Sequence, residues 1–143
     1  MRFYIASKLE NAEQVTEIAS ALRSAGHENT YDWTTHGSIQ GEGKEILKKT
    51  MLNELNGVKE ADMLIVLFPG GRGSHVELGM GIAFNHTIVL CSDSFDLFQS
   101  DDKTCVFYWG ENIFQCVGSV NEWISELLSR AKEIDAINER SKS

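Results

Sequence analysis

Apolar residues recur along the chain in two patterns, short continuous runs and runs spaced by three or four positions. Residues 63–68 are apolar throughout, which is typical of a strand that is buried on both faces of a sheet. Further apolar runs predict strands over residues 2–6, 27–31, 87–91 and 104–108. Helical spacing of apolar positions predicts helices over residues 10–25, 44–59, 75–84 and 120–138.

Strands and helices therefore alternate along the sequence. This alternation predicts an α/β fold with a parallel sheet and helices on both faces, and five strands favour the flavodoxin-like, doubly wound order 2-1-3-4-5. We expect one domain over residues 1–138 and a frayed tail over residues 139–143, since no repeat or linker interrupts the chain. Ligands of such sheets bind beyond the carboxyl ends of the strands, where the strand order reverses.

Composition narrows the class of protein. The 143 residues are 42% hydrophobic and 24% charged, which is typical of a globular domain. A net charge of −8 argues against binding to nucleic acid polymers, whose phosphates need a basic surface. We expect neither a membrane span nor a secretion signal, and three cysteines without a CxxC pair favour free thiols in a reducing cytoplasm.

The glycine-rich turn at residues 69–74 carries the strongest chemical signal. A turn of this kind, leading from a buried strand into a helix, exposes backbone N–H groups that attract phosphates and carboxylates. The turn matches neither the P-loop pattern nor the GxGxxG pattern of dinucleotide-binding proteins. The histidines at positions 36, 75 and 86 also lack the spacing of metal ligands.

Glu77, just after this turn, has two interpretations. It can form a capping box with Ser74 at the start of the helix, and the same pattern begins at Ser7 and Ser119 before two other helices. Alternatively, Glu77 lies on the first helical turn, is kept ionised by the helix dipole, and faces the ligand crevice. In that position its carboxylate can attack an electrophilic carbon.

Three other candidate sites also have two interpretations. Glu54 lies on the shoulder of the apolar face of the second predicted helix, where it either extends into solvent or keeps a raised pKa suited to a general acid. Asp32 and Trp33 either bind a flat base or form a turn and a packed ring. Tyr4 is either a core residue or reaches the crevice with its hydroxyl. One anionic and one protonatable carboxyl are what cleavage of a glycosidic bond requires.

Three stretches of the chain carry a family resemblance: residues 3–7, residues 53–62, and residues 73–79 with Ala83. They resemble the nucleoside 2-deoxyribosyltransferase family, including its relatives that hydrolyse nucleotides at the N-glycosidic bond. The segment Val-Glu-Leu-Gly after the glycine-rich turn is the most specific part. The resemblance implies a flavodoxin-like enzyme without a metal or organic cofactor. It also implies a homodimer or a higher homo-oligomer with shared sites.

The resemblance further implies roles for individual residues. Glu77 would be the nucleophile that attacks the anomeric carbon, and Tyr4 would orient its carboxylate. Glu54 would help with proton transfer and positioning, at a place where the family more often has aspartate. The turn formed by Gly71, Arg72, Gly73 and Ser74 would hold the 5′ end of the sugar or a 5′-phosphate.

The remaining substrate contacts are expected from Ser7, Asp32 and Trp33. Asn112 is the possible counterpart of an asparagine that reaches the 5′-hydroxyl from a neighbouring subunit of the transferases. The transferases also carry an acidic residue in the loop before the nucleophile. This chain has Arg72 in that loop instead, which favours an anionic substrate because arginine pairs with phosphate.

The sequence therefore predicts an enzyme that cleaves or transfers the N-glycosidic bond of a nucleoside or a nucleoside 5′-monophosphate. The alternative is a non-catalytic nucleotide-binding or signalling module on the same fold, in which Glu77 is only a cap. A response-regulator receiver is disfavoured, because Phe68 rather than aspartate ends the third predicted strand. A flavodoxin is disfavoured, because no phosphate-binding loop follows the first predicted strand.

Overall fold

The chain forms one sheet of five parallel strands in the computed structural model, which describes residues 1–142. The strands are β1 (Arg2–Ala6), β2 (Glu28–Asn29), β3 (Met63–Leu67), β4 (Thr87–Ser92) and β5 (Ile113–Val117). Their spatial order is β2-β1-β3-β4-β5, which confirms the predicted doubly wound fold. Every residue of β3 is buried, as its uniformly apolar sequence predicted.

Four helices cover the sheet. They are α1 (Ala12–Ser24), α2 (Lys44–Glu60), α3 (Arg72–Ala83) and α4 (Val120–Lys142). Helix α1 packs beside α4, and α2 packs beside α3. In a sheet whose order reverses between β1 and β3, this pairing places two helices on each face. Across residues 1–142, the structure has no helix with the length and apolar character needed to cross a membrane.

The predicted position of the fifth strand is wrong. The apolar run at 104–108 includes a short 3₁₀ helix, Val106–Tyr108, whereas the strand that completes the sheet is β5. Strand β5 lies at the edge of the sheet and is only partly buried, so its sequence need not be uniformly apolar. Within residues 106–108, Tyr108 packs inward against Phe68 and Phe98, so this segment contributes an aromatic ring to the core without forming a strand.

Several element boundaries also differ from the predictions. Strand β2 has only two residues instead of the expected five-residue run at 27–31. Helix α3 begins at Arg72, three residues before the predicted start. Helix α4 continues through Lys142 and so takes in residues 139–142 of the expected tail, and Ser143 lies outside the described residues.

Candidate active site

A crevice of about 690 Å³ opens at the carboxyl ends of β1 and β3, where the strand order reverses. Its walls are the loop after β1, the segment at 33–40, one face of α2 and the start of α3. The structure thereby brings together most of the predicted site residues. Those that line the crevice are Ser7, Trp33, Glu54, Gly71, Arg72, Gly73, Ser74 and Glu77.

Glu77 is not a helix cap. The carboxyl is 7% exposed, and its Oε2 accepts a hydrogen bond from the Tyr4 hydroxyl. Ser74 bonds to Gly71 instead, with the Gly71 N–H donating to Ser74 Oγ over 2.7 Å and Ser74 Oγ donating to the Gly71 carbonyl over 2.9 Å. The proposed capping box between Ser74 and Glu77 is therefore wrong, whereas Ser119 does form the equivalent pair of bonds with Glu122.

The protonation of Glu77 also differs from the prediction. The pKa of Glu77 is raised from 4.5 to about 8, mainly by burial. The hydrogen bond from Tyr4 lowers this pKa, and the negative charge of Glu54 raises it. We expected the helix dipole to keep this carboxyl ionised. Because α3 begins at Arg72, Glu77 lies in the second turn of the helix, and the effect of the dipole fades beyond the first turn.

Tyr4 is fully buried in the middle of β1, where it points towards α2 and α3. Its neighbour on α2 is Gly57, at which an added Cβ would lie 2.9 Å from Tyr4 Cδ2 and 2.9 Å from Tyr31 Cβ. Burial, followed by the charges of Glu77 and Glu54, raises the pKa of Tyr4 well above its ordinary range. The hydroxyl therefore stays protonated and acts as a hydrogen-bond donor to Glu77.

Glu54 projects from α2 into the same crevice and is half-buried. Burial raises its pKa, and the charge of nearby His36 lowers it. His36 also lines the crevice, with its Nδ1 2.8 Å from the Gly37 carbonyl and its ring 6.0 Å from that of Tyr31. The sequence did not indicate this histidine as a site residue, because it lies in a polar loop without a recognisable motif.

The hydroxyl of Ser7 is used within the protein. Ser7 Oγ donates to the Leu67 carbonyl over 2.9 Å and accepts from Asn11 Nδ2, also over 2.9 Å. The same amide group of Asn11 donates to the Pro69 carbonyl over 2.8 Å. Ser7 and Asn11 therefore fasten the loop after β1 to the turn after β3. Asn11 was not predicted, since its role depends on a contact between distant segments.

Two cations, Lys8 and Arg72, line the crevice. Among the described residues, neither of them forms an ion pair, although the chain as a whole is strongly acidic. Both side chains are thus free to meet an anionic group of a ligand. Arg72 was predicted for this role and Lys8 was not.

Asp32 and Trp33 fit the structural interpretation better than the base-binding one. Asp32 Oδ1 accepts a 3.0 Å bond from the Thr34 N–H and caps the short helix Trp33–Thr35. The Trp33 ring lines the crevice but is 7% exposed, and its Nε1–H donates to the Ile5 carbonyl over 2.6 Å. Asp32 does not line the crevice.

The structure does not bring Asn112 to the crevice of its own chain. Asn112 immediately precedes β5, at the amino edge of the sheet, and its Nδ2 donates to Asn85 Oδ1 over 3.1 Å. Its carbonyl accepts a 3.0 Å bond from the Ile88 N–H. The family resemblance implied that Asn112 reaches the site of a neighbouring subunit, and that contribution stays a prediction.

Within the part of the chain that the structure describes, no three or more His, Cys, Asp or Glu side chains are grouped so that they could hold a metal ion. The three cysteines are free thiols: Cys91, Cys105 and Cys116. Burial is the main reason why the pKa of the Cys91 thiol is raised. The ionisable groups that line the crevice are therefore the carboxyls of Glu10, Glu54 and Glu77, the His36 ring and two cations, and the Tyr4 hydroxyl bonds to Glu77.

Comparisons with known sequences and with solved structures give different results. No model of a protein family matches the sequence, and no curated protein matches it significantly. Among solved structures, the chain is similar to the CMP N-glycosidase BcmB of Clostridium botulinum, with a TM-score of 0.62 and 15% sequence identity. The similarity covers 89% of this chain and 98% of that chain. It supports the family resemblance at the level of the fold: this chain has the fold of a CMP N-glycosidase.

Proposed function

We propose that this protein cleaves the N-glycosidic bond of a nucleoside or a nucleoside 5′-monophosphate, with Glu77 as the nucleophile. The observation that carries the proposal is the placement of Glu77. Its carboxyl is nearly buried, lines the crevice at the reversal of strand order, and has one oxygen held by the Tyr4 hydroxyl. A buried carboxyl in a crevice, with its pKa shifted by burial, is a strong candidate for a catalytic group.

The reaction starts from the form in which Glu54 and Glu77 share one proton and Glu54 holds it. In the first step, the ionised Glu77 attacks C1′ of the sugar through an oxocarbenium-like transition state. The bond between C1′ and the base nitrogen breaks, and its electron pair leaves with the base. Glu54 supplies the proton that the departing base needs, because burial favours the protonated form of its carboxyl. Tyr4 donates to Oε2 of Glu77, which leaves Oε1 to form the bond with C1′.

In the second step, water attacks C1′ of the glycosyl ester and Glu54 takes up a proton from it. The ester bond breaks, Glu77 leaves as a carboxylate, and the free sugar or sugar phosphate is released. A second base in place of water gives transfer. The same two carboxyls therefore serve hydrolysis and transfer alike.

The positive charges of the crevice favour a 5′-monophosphate over a neutral nucleoside. Lys8 and Arg72 line the crevice beside the start of α3, and a phosphate would pair with both of them. The similar structure is that of an enzyme named for a nucleoside monophosphate, which supports this choice. The proposed substrate class is therefore nucleoside 5′-monophosphates.

We also propose that the protein works as a homodimer or a higher homo-oligomer. Leu47 and Met51 belong to the apolar face of α2, but they are 39% and 52% exposed. They line the crevice together with Val76 of α3, which is 59% exposed. A second copy of the chain would cover these apolar side chains and close the crevice. Analytical ultracentrifugation of the wild type and of Met51→Lys tests this proposal, since a lysine in the interface should favour the monomer.

The function is tested by release of free base from a panel of ribo- and deoxyribonucleosides and their 5′-monophosphates. Wild type and Glu77→Gln are assayed in parallel, each with and without a second base. We expect release by the wild type and almost none by the variant, and dependence on the second base distinguishes transfer from hydrolysis. Tight binding of a nucleotide without any release would instead indicate a non-catalytic binding module.

A further inference from the structure

The glycine-rich turn is held from behind by a chain of two hydrogen bonds through His75. The Nδ1 atom of His75 lies 2.8 Å from the Gly71 carbonyl, and its Nε2 lies 2.7 Å from the Tyr108 hydroxyl. A carbonyl can only accept, so Nδ1 carries the proton and donates to Gly71. Nε2 of the neutral ring must then accept, so the Tyr108 hydroxyl donates to it.

The Gly71 carbonyl receives two donors besides the His75 ring. Ser74 Oγ donates to it over 2.9 Å, and the backbone N–H of His75 donates over 3.3 Å. Three donors on one oxygen fix the plane of the peptide that joins Gly71 to Arg72. In a trans peptide the C=O and the N–H point in opposite directions, so the direction of the Arg72 N–H is fixed as well.

The Arg72 N–H belongs to the first residue of α3 and has no acceptor within the helix. Gly71 and Arg72 both line the crevice, so the Arg72 N–H and the Arg72 guanidinium lie at the same end of it, at the start of α3. That part is where the proposed function places the 5′ end of the substrate.

Tyr108 is a firm anchor for this chain of hydrogen bonds. It is 4% exposed, and its ring packs edge-on against Phe68 with a centroid distance of 5.1 Å and against Phe98 with one of 5.8 Å. Phe68 directly follows β3 and Phe98 follows β4, so the anchor is attached to the centre of the sheet. Gln115 of β5 adds a 3.1 Å hydrogen bond to the Tyr108 carbonyl.

We propose that His75, held by Tyr108, is a positioning residue that sets the direction of the Arg72 N–H and with it the preference for a 5′-phosphate. The proposal rests on the proposed function of the same crevice. Neither His75 nor Tyr108 is among the residues that line the crevice, so both act through the turn.

Three variants separate the two hydrogen bonds. His75→Leu removes both, Tyr108→Phe removes the outer bond and keeps the ring, and His75→Asn keeps a donor near the position of Nδ1. Gly79→Ala is the control on the same helix, since an added Cβ there has nothing within 4 Å. Isothermal titration calorimetry measures binding of the common ribo- and deoxyribonucleoside 5′-monophosphates and of their parent nucleosides. Every protein in this comparison also carries Glu77→Gln, so that the ligand stays intact during the titration.

We expect His75→Leu to weaken monophosphate binding about tenfold, and His75→Asn and Tyr108→Phe to weaken it roughly two- to threefold, as typical hydrogen-bond contributions imply. Nucleoside binding should change less than about twofold in all three variants, because the 5′-phosphate is what the turn contacts. Equal weakening of nucleoside and monophosphate binding would overturn the proposal, as would a His75→Asn variant that binds as poorly as His75→Leu.

A second measurement does not depend on the variants folding. Long-range ¹H–¹⁵N spectra of the wild type should show Nδ1 of His75 protonated and Nε2 unprotonated, and the opposite tautomer would refute the hydrogen-bond chain. Base release is recorded on the same set of proteins with Glu77 intact. Selective binding of monophosphates without base release would refute the proposed function but not the positioning role of His75. Base release without a preference for monophosphates would refute only the positioning role. A wild type that binds no monophosphate rules out both.

Discussion

The hydroxyl of Tyr4 in β1 donates a hydrogen bond to Oε2 of Glu77 in α3, joining two residues that are 73 positions apart in the sequence. The bond spans the reversal of strand order between β1 and β3. It holds one carboxyl oxygen of Glu77, a residue that lines the crevice. The orientation of the proposed nucleophile therefore depends on a single hydroxyl of the core.

Removal of this hydroxyl should slow the reaction without emptying the core. Tyr4→Phe keeps the buried ring, and loss of the bond that lowers the pKa of Glu77 makes this carboxyl harder to ionise. We expect kcat/KM for base release to fall by roughly 10- to 100-fold near neutral pH. A Tyr4→Phe variant with wild-type kcat/KM would show that the bond has no part in catalysis. Circular dichroism and thermal unfolding would establish that the variant is folded.

The dependence of the rate on pH should reveal that two carboxyls share one proton. The proposed reaction needs Glu77 ionised and Glu54 protonated, a form with a single proton on the pair. Burial is the main cause that raises the pKa of Glu77 to about 8. The last proton shared by Glu54 and Glu77 is therefore lost near that pH. We expect wild-type kcat/KM to fall as the pH rises through about 8.

The variant Glu54→Gln should reverse the sign of this dependence. With Glu54 neutral at every pH, only ionisation of Glu77 matters, so kcat/KM should rise with pH towards a plateau. Loss of general acid help should lower the maximum by roughly 10²- to 10⁴-fold. Identical pH profiles of the wild type and Glu54→Gln would contradict the assignment of Glu54 as the acid.

Stability should depend on pH through the same buried carboxyl. The pKa of Glu77 is about 8 in the folded protein against an ordinary value of 4.5, so the folded state binds the proton more strongly than the unfolded state. The contribution of this proton to stability is complete below 4.5 and is lost as the pH rises through about 8. Glu77→Gln removes the ionisation, so it should gain stability relative to the wild type over this range.

Urea unfolding at about pH 5 and about pH 8.5 measures this difference, which should be on the order of a few kcal/mol. Glu133→Gln on the exposed surface of α4 is the matched control and should give the same difference from wild type at both values. If Glu77→Gln and Glu133→Gln respond alike, the Glu77 carboxyl does not hold its proton in the folded protein.

The close approach of α2 to Tyr4 predicts that Gly57 cannot carry a side chain. In Gly57→Ala the new Cβ would meet Tyr4 Cδ2 and Tyr31 Cβ, each at 2.9 Å, so α2 and Tyr4 must move apart. We expect a loss of about 1–3 kcal/mol in the free energy of unfolding, together with reduced base release.

Gly79→Ala is the control for this change. It lies within α3, where an added Cβ has nothing within 4 Å, and alanine favours the helix over glycine by roughly 1 kcal/mol. Thermal unfolding should therefore show a variant at least as stable as the wild type. Gly57→Ala with the stability and activity of Gly79→Ala would mean that the contact between α2 and Tyr4 does not constrain the site.

The sheet order was predictable because β1, β3 and β4 are central strands with sequences that are apolar almost throughout. Strand β5 was not, because an edge strand is only partly buried and the more apolar residues 106–108 belong to the ring cluster around Tyr108. Asn112, which the misplaced strand put after the fifth strand, lies immediately before β5.

The residues of the crevice were predictable where a motif carried them, as in the turn from Gly71 to Ser74 and at Glu77. The start of α3 was placed too late because Ser74 was interpreted as the residue before the helix, whereas it is the third residue of the helix and bonds back to Gly71. Contacts such as that of His75 with Tyr108 join residues 33 positions apart and leave no pattern in the sequence.

The hydrogen bonds of Ser7 and Asn11 divide the crevice into two mechanically different halves. The loop after β1 and the turn after β3 are joined to each other, so we expect them to move as one body with the sheet. The opposite side contains residues 36–43, a polar segment with glycines at positions 37, 41 and 43. We therefore expect passage of a substrate into the crevice to depend on the glycine-containing side, while the turn that leads to Glu77 stays fixed to the sheet.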